Sequence, residues 1–267
     1  AEKIQLPESL DKVWANRGYY GTLKHNVKAV YNYYLGYFSG NPSDLDPLDQ
    51  VDAGAKYVQY MGGEKNVLKQ AKYDYNKGEY RWVAQVLKHV VMANPNNSQA
   101  KDLLAKAYEQ LGYTAESSVW RNFYLTGAQE LRNGVADSKG SGGMMNLDTL
   151  LNMPMDDFLN FLSIKLNGTK AENKNLAFNV KFTDLKTNYM ITIGNSVVNY
   201  KEGKSASEPN ATITIDKVSF YLITLGREDL DKMAAAGKVS INGEKDQFKE
   251  FLSLLDQFNP KVNIVTP

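Results

Sequence analysis

The sequence predicts a chain of two domains of different class, an all-helical one followed by an α+β one whose mainly antiparallel sheet is covered by helices. Three observations carry this. Up to about Asn133 the apolar residues recur at helical spacing, and after Leu176 they alternate as strand residues do. Between the two regimes lies GVADSKGSGGMMN, Gly134 to Asn146, with the glycine and serine content of a flexible connector. The length of 267 residues fits one or two domains, either able to bury its own core. The division read from this is a helical domain over 1–135, a linker over 136–145 and an α+β domain over 146–267.

In the first domain, Val27, Val30, Tyr31, Tyr34 and Phe38 fall on one face of a helix that Asn26 would cap and Ser39-Gly40-Asn41-Pro42 would end. A second helix is expected from Leu48 to Met61, closed by Gly62-Gly63. From Glu64 the chain pairs helices around Gly78, Asn94-Pro95 and Gly112. There Ala71, Gly78, Tyr80, Ala84, Leu87, Pro95, Ala100, Leu104, Ala105, Tyr108 and Leu111 occupy the small, aromatic and breaker positions of a tetratricopeptide-like helix pair. Such units bury their apolar faces by stacking in arrays of about three or more. One unit alone must pack on neighbouring helices or on another chain, which points to a homodimer.

The second domain opens with a helix that Asn146 or Asp148 would cap. Leu150, Leu151, Phe158, Phe161 and Leu162 form its buried stripe, and Pro154 marks a break or a first turn. LAFNVKF, YMITI and SVVNY then alternate as an antiparallel meander, with a tight turn at Gly194-Asn195. ATITI adds a strand from Ala211 to Ile215, and short helices follow at Phe220–Leu225 and Leu230–Ala236. A last strand runs from Lys238. Gln247 to Phe258 closes the chain as a helix with Phe248, Phe251, Leu252 and Leu255 inward.

Charge and composition exclude several functions. Lys+Arg 31 against Asp+Glu 30 leaves a net charge of +1, without the electrostatic footprint of a nucleic-acid binder. The absence of cysteine removes thiolate zinc sites, iron–sulfur ligation and cysteine nucleophiles, and leaves the compartment open. No run approaches the ~20 apolar residues of a membrane span. The start, AEKIQLPESL, has neither the basic nor the apolar region of a signal peptide and lacks an initiator Met, which points to a processed chain or an excised fragment.

Chemistry-bearing residues are sparse. Of the two histidines, His89 lies among apolar residues in VLKHVV and reads as a packing or surface residue. His25 differs, because Gly18 and Gly21 let the preceding backbone turn and a helix start fixes the imidazole where it can reach out of its own domain. Asp156-Asp157 and Asp229 with Asp231 read as solvated helix starts. No nucleophile elbow, phosphate-binding glycine loop or His-Glu-x-x-His helix occurs.

RGYYGTLKHNVKAVYNYYLGYFSGNP, YRWVAQVLKHVVMANP and WRNFYLTGAQELRNG together resemble the dimerisation domain of the alkyl sulfatases of the metallo-β-lactamase superfamily, over Pro7 to about Gly134. LNFLSIKLNG, LAFNVKFTD, ATITI and AAAGKVSINGEKDQFKEFLSLLDQF are similar to the carboxy-terminal domain of those enzymes, which has the sterol-carrier-protein fold. The resemblance implies hydrolysis of alkyl sulfate esters, such as dodecyl sulfate, to alcohol and sulfate. It implies two zinc ions in an amino-terminal metallo-β-lactamase domain whose His-x-His-x-Asp-His signature this sequence lacks. It assigns one metal-ligand role to His25, through the match of Gly18-Tyr19-Tyr20-Gly21…His25-Asn26 to the family's Gly-Tyr-Tyr-Gly…His-Asn segment. By the same resemblance the second domain would lie over an alkyl tail, with Phe182, Met190, Phe220, Leu222, Phe251 and Leu255 as candidates to line an apolar space. Any single one of these six is more often an ordinary core residue. The family favours a bacterial periplasmic or secreted location. The competing expectation is a non-enzymatic lipid-binding or protein-interaction module.

Overall fold

The computed structural model describes residues 1–135, 147–259 and 261–267, so the expected linker and the Asn146 cap lie outside the described residues. Of the described residues, 1–135 and 261–267 form one compact unit and 147–259 a second.

The first unit is helical: α1 (Glu8–Asp11), α2 (Leu23–Leu35), α3 (Gln50–Tyr60), α4 (Glu64–Asn76), α5 (Tyr80–Ala93), α6 (Ser98–Thr114) and α7 (Ser118–Asn133). Side-chain caps start several of them. Asp49 accepts the amides of Val51 and Asp52, Asn97 that of Ala100, and Ser117 that of Trp120. The core is centred on α5, whose Val83, Leu87, Val90 and Val91 are fully buried against Ala71 of α4 and Leu104 and Ala105 of α6. The small and apolar positions of the tetratricopeptide-like pattern are thus the ones that pack. Gly112 explains itself here, since a Cβ on it would lie 2.9 Å from the Leu125 side chain of α7.

The first long helix departs from expectation. α2 begins at Leu23, capped by Thr22, whose hydroxyl accepts the His25 amide at 3.0 Å, so Asn26 is inside the helix and not its cap. It stops at Leu35 because Gly36 takes φ 78°, and Phe38 lies beyond its end. None of its residues is buried, and the face expected to pack is instead exposed.

The chain's last residues return to this unit. Glu130 of α7, only 7% exposed, accepts the amides of Ile264 and Val265 at 2.9 to 3.1 Å. Val265 packs beside Gly127 and Tyr108.

In the second unit α8 (Leu147–Asn152) and α9 (Met155–Lys165) are separated at Pro154, which stands at the N-cap of α9. The side chains of Leu150 and Leu151 lie outside the described residues. Strands β1 (Leu176–Phe182), β2 (Thr187–Gly194), β3 (Val197–Glu202), β4 (Ala211–Ile215) and β5 (Val239–Gly243) form one sheet in the order β3-β2-β1-β4-β5. β1 pairs antiparallel with β2 and parallel with β4, and the other pairs are antiparallel. The tight turn is Asn195-Ser196, both at positive φ (51° and 60°), which keeps Gly194 in the strand, paired with Val197.

Alternation buries one face. Phe178, Val180, Ile191 and Ile213 meet Phe158 and Leu162 of α9, Phe220 of α10 (Lys217–Thr224) and Phe248 and Phe251 of α12 (Lys245–Ser253). A short α11 (Leu230–Ala235) leads into β5. α12 ends at Ser253, earlier than expected, and Leu255 instead forms a bridge with Leu166.

Candidate functional site

The glycine loop before α2 is pinned by the start of α7. The Ser118 amide donates to the Tyr19 carbonyl at 2.7 Å and the Ser117 hydroxyl to the Tyr20 carbonyl at 2.5 Å. The Arg17 guanidinium donates to Glu116 at 2.8 Å. Neither Gly18 nor Gly21 has positive φ. Their role is close approach: a Cβ would lie 3.3 Å from the Gly21 carbonyl at one and 3.2 Å from Asn26 Oδ1 at the other.

His25 stands in the first turn of α2, exposed, with its ring edge-on to Trp120 of α7. The indole Nε1 donates to His25 Nδ1 at 3.2 Å. An indole nitrogen is a donor only, so Nδ1 is the unprotonated nitrogen and a neutral imidazole carries its proton on Nε2. Ligation through Nε2 would need the opposite tautomer, with Nδ1 protonated and itself donating. In this arrangement Nδ1 is engaged by Trp120, so a metal would reach the ring only with a shift of that hydrogen bond. Among the described residues, moreover, no group of three His, Cys, Asp or Glu side chains could hold an ion. A catalytic zinc takes about three protein ligands plus water.

His89, on α5, lies half-buried with its ring 4.3 Å from that of Tyr57. Burial, with the Lys88 charge beside it, lowers its pKa.

Of the six apolar candidates, the structure brings five to one side of the sheet. Phe182, Phe220, Phe251 and Leu255 are buried in one cluster, and Leu222 packs against it partly exposed. Met190 is not with them. It alternates with Tyr189 and Ile191 along β2 and pairs with Asn179 and Lys201, so it points to the opposite, polar face. The cluster is filled by its own rings: Phe182 against Phe220 at 5.4 Å, Phe178 against Phe251 at 5.8 Å, Phe158 stacked on Tyr221 at 3.7 Å.

Two side chains that shape the first unit have no signal in local sequence. Trp120 is 95 positions from His25, and Glu130 reads as an ordinary surface glutamate in an amphipathic helix until the chain's end folds onto it.

The family model described as alkyl sulfatase dimerisation matches residues 1–134, and that described as alkyl sulfatase C-terminal matches residues 144–267. The chain is 45% identical over its full length to a linear primary-alkylsulfatase of a Pseudomonas species, of which it covers 40%. It is 42% identical to an alkyl/aryl-sulfatase of Saccharomyces cerevisiae, of which it covers 41%. The solved structure of a stereoselective inverting sec-alkylsulfatase from a Pseudomonas species superposes on 100% of the chain with a TM-score of 0.89 at 39% identity, using 42% of that chain. The chain thus spans about 40% of the length of the curated relatives it matches. Both halves match, in order, and the chain belongs to the alkyl sulfatase family, of which it carries the dimerisation and carboxy-terminal regions.

Proposed function

We propose that the full-length protein is a zinc-dependent alkyl sulfatase of the metallo-β-lactamase superfamily that hydrolyses alkyl sulfate esters such as dodecyl sulfate to alcohol and inorganic sulfate. This chain provides the dimer interface, the loop that presents His25 and an apolar domain that recruits the alkyl tail. The observation that carries the reading is the uninterrupted match of the whole chain to alkylsulfatases of two kingdoms. The zinc pair, which supplies a hydroxide nucleophile and offsets charge on the sulfate when bound, belongs in this reading to the part of the protein outside these residues. Of the ligand set, this chain would supply His25 alone, and only once Trp120 gives up its hydrogen bond to Nδ1.

Two measurements test it. The 267-residue chain by itself should release no sulfate from dodecyl sulfate, and the full-length protein should release it. In the full-length protein, His25→Ala should remove one of two zinc ions per protomer by elemental analysis. Unchanged zinc content would reject His25 as a ligand and leave it as the acceptor of the Trp120 indole.

A further inference from the structure

Gly127 and Glu130 lie one turn apart on the same face of α7, and each is unfavourable there by itself. A carboxylate only 7% exposed is costly unless hydrogen bonds satisfy it. A glycine inside a 16-residue helix is the poorest helix former short of proline. The chain's last residues account for both.

The Ile264 amide donates to both carboxylate oxygens of Glu130, at 2.9 and 3.1 Å, and the Val265 amide donates to Oε1 at 3.0 Å. The main chain bends at these two residues, which lets successive amides converge on one anion, and the Asn263 side chain closes the bend by donating to the Pro267 carbonyl at 2.8 Å. Beside the carboxylate, Gly127 leaves a notch. A Cβ there would lie 3.2 Å from Val265 Cγ1 and 3.3 Å from the Tyr108 ring. Val265 is the apolar side chain that enters, whereas Val262 and Ile264 stay 66% and 52% exposed. Recognition thus rests on two main-chain amides, which exclude proline at both positions, and on one β-branched side chain.

α7 ends at Asn133, one turn beyond Glu130, so the chain that leaves this helix returns to its last turns. One root of the intervening segment is covalent and the other is not. We propose that Gly127, Glu130 and Tyr108 form a docking site for a bent peptide bearing a β-branched residue, occupied by this chain's own residues 261–267 as a clasp that opens without unfolding the helices. The buried core of α3 to α7 is complete without the clasp, against which Val265 alone packs from outside. The site stands on these residues whether or not the full-length protein is a sulfatase.

The test uses the 267-residue chain with its own clasp disabled by Ile264→Pro and Val265→Asp, which remove one amide and set a second carboxylate beside Glu130. A fluorescent peptide of residues 261–267 is titrated into it and followed by anisotropy, with far-ultraviolet circular dichroism confirming that the helices persist. Tethering gives the clasp an effective concentration on the order of 1 mM, so a clasp that stays docked requires the free peptide to bind more tightly than about 1 mM, at one per chain. The wild-type chain, its site filled, should bind the peptide at least about twofold more weakly by the same arithmetic. Glu130→Gln in the disabled chain keeps an acceptor but loses the charge and should weaken binding about tenfold. A Val265→Gly peptide, which cannot disturb the protein's fold, should bind about fivefold more weakly. The proposal is overturned if the peptide does not saturate the disabled chain by several millimolar, if wild-type and disabled chains bind it equally, or if the Val265→Gly peptide binds as tightly as its parent.

Discussion

Gly54 sits inside α3, where glycine is about 1 kcal/mol worse than alanine in a free helix. Its reason is tertiary. A Cβ there would lie 2.8 Å from the His89 carbonyl oxygen, 3.2 Å from Met92 Cβ and 3.3 Å from the Ala93 nitrogen, so α3 and α5 touch backbone to backbone. Overpacking a tight contact costs roughly 1–3 kcal/mol, and here it falls on main-chain atoms that cannot rotate away. Gly54→Ala should therefore lower the stability of the chain despite the better propensity, read as an earlier midpoint in urea unfolding. A later midpoint would mean that the two helices can separate at no cost. His25 teaches the same lesson at another position. Its place at a helix start is local and legible from Gly18 to Asn26, whereas its tautomer is set by Trp120, which no spacing rule connects to it.

At the scale of elements, the period of the apolar residues carried most of the information, because period follows directly from which face is buried. The alternation of Leu176, Phe178, Val180 and Phe182 against Ala177, Asn179 and Lys181 gives the bounds of β1, although Asn179 on the other face is also buried, exchanging hydrogen bonds with Ala206. Ends were less legible. α2 starts three residues before Asn26 because Thr22 is a better-placed cap, and α12 stops early where Leu255 turns to pair with Leu166. The parallel pairing of β1 with β4 was not readable either, since strand order depends on a crossover and not on local pattern. The same packing of α9, α10 and α12 on the sheet gives the second domain's candidate site its test. In this structure the rings of Phe158, Phe178, Phe220 and Phe251 fill the space they enclose. If the domain recruits alkyl tails, those helices must part around the ligand. Fatty alcohols of increasing length titrated against residues 144–267 should then bind with affinity rising by up to ~0.8 kcal/mol for each buried methylene. Binding that does not depend on chain length, or none, would make this domain a solid cover and assign tail recognition elsewhere.

At the scale of the whole molecule, α2 is the element that its own fold does not account for. A helix of 13 residues is marginal in water unless one face is packed, yet none of its residues is buried. Tyr31, Tyr33, Tyr34 and Tyr37 are 67%, 82%, 77% and 96% exposed, and so are their neighbours Val30 and Leu35, at 57% and 61%. A contiguous surface of this kind exceeds what a monomer ordinarily leaves in water and has the tyrosine enrichment of an interface core. The match to a dimerisation family supports the proposal that a second copy is the occupant, and an isologous contact would then lay α2 of each protomer on the other. Sedimentation equilibrium of the chain at micromolar concentration should accordingly give twice the monomer mass. Tyr33→Glu with Tyr37→Glu should halve it and cost at most the α2 share of the helical circular-dichroism signal, since neither ring belongs to the buried core of α3 to α7. A monomeric wild-type chain would assign this face to the part of the full-length protein outside these residues, and a dimer that survives both charges would place the interface on other helices, such as those bearing Trp82, Tyr113 and Phe123.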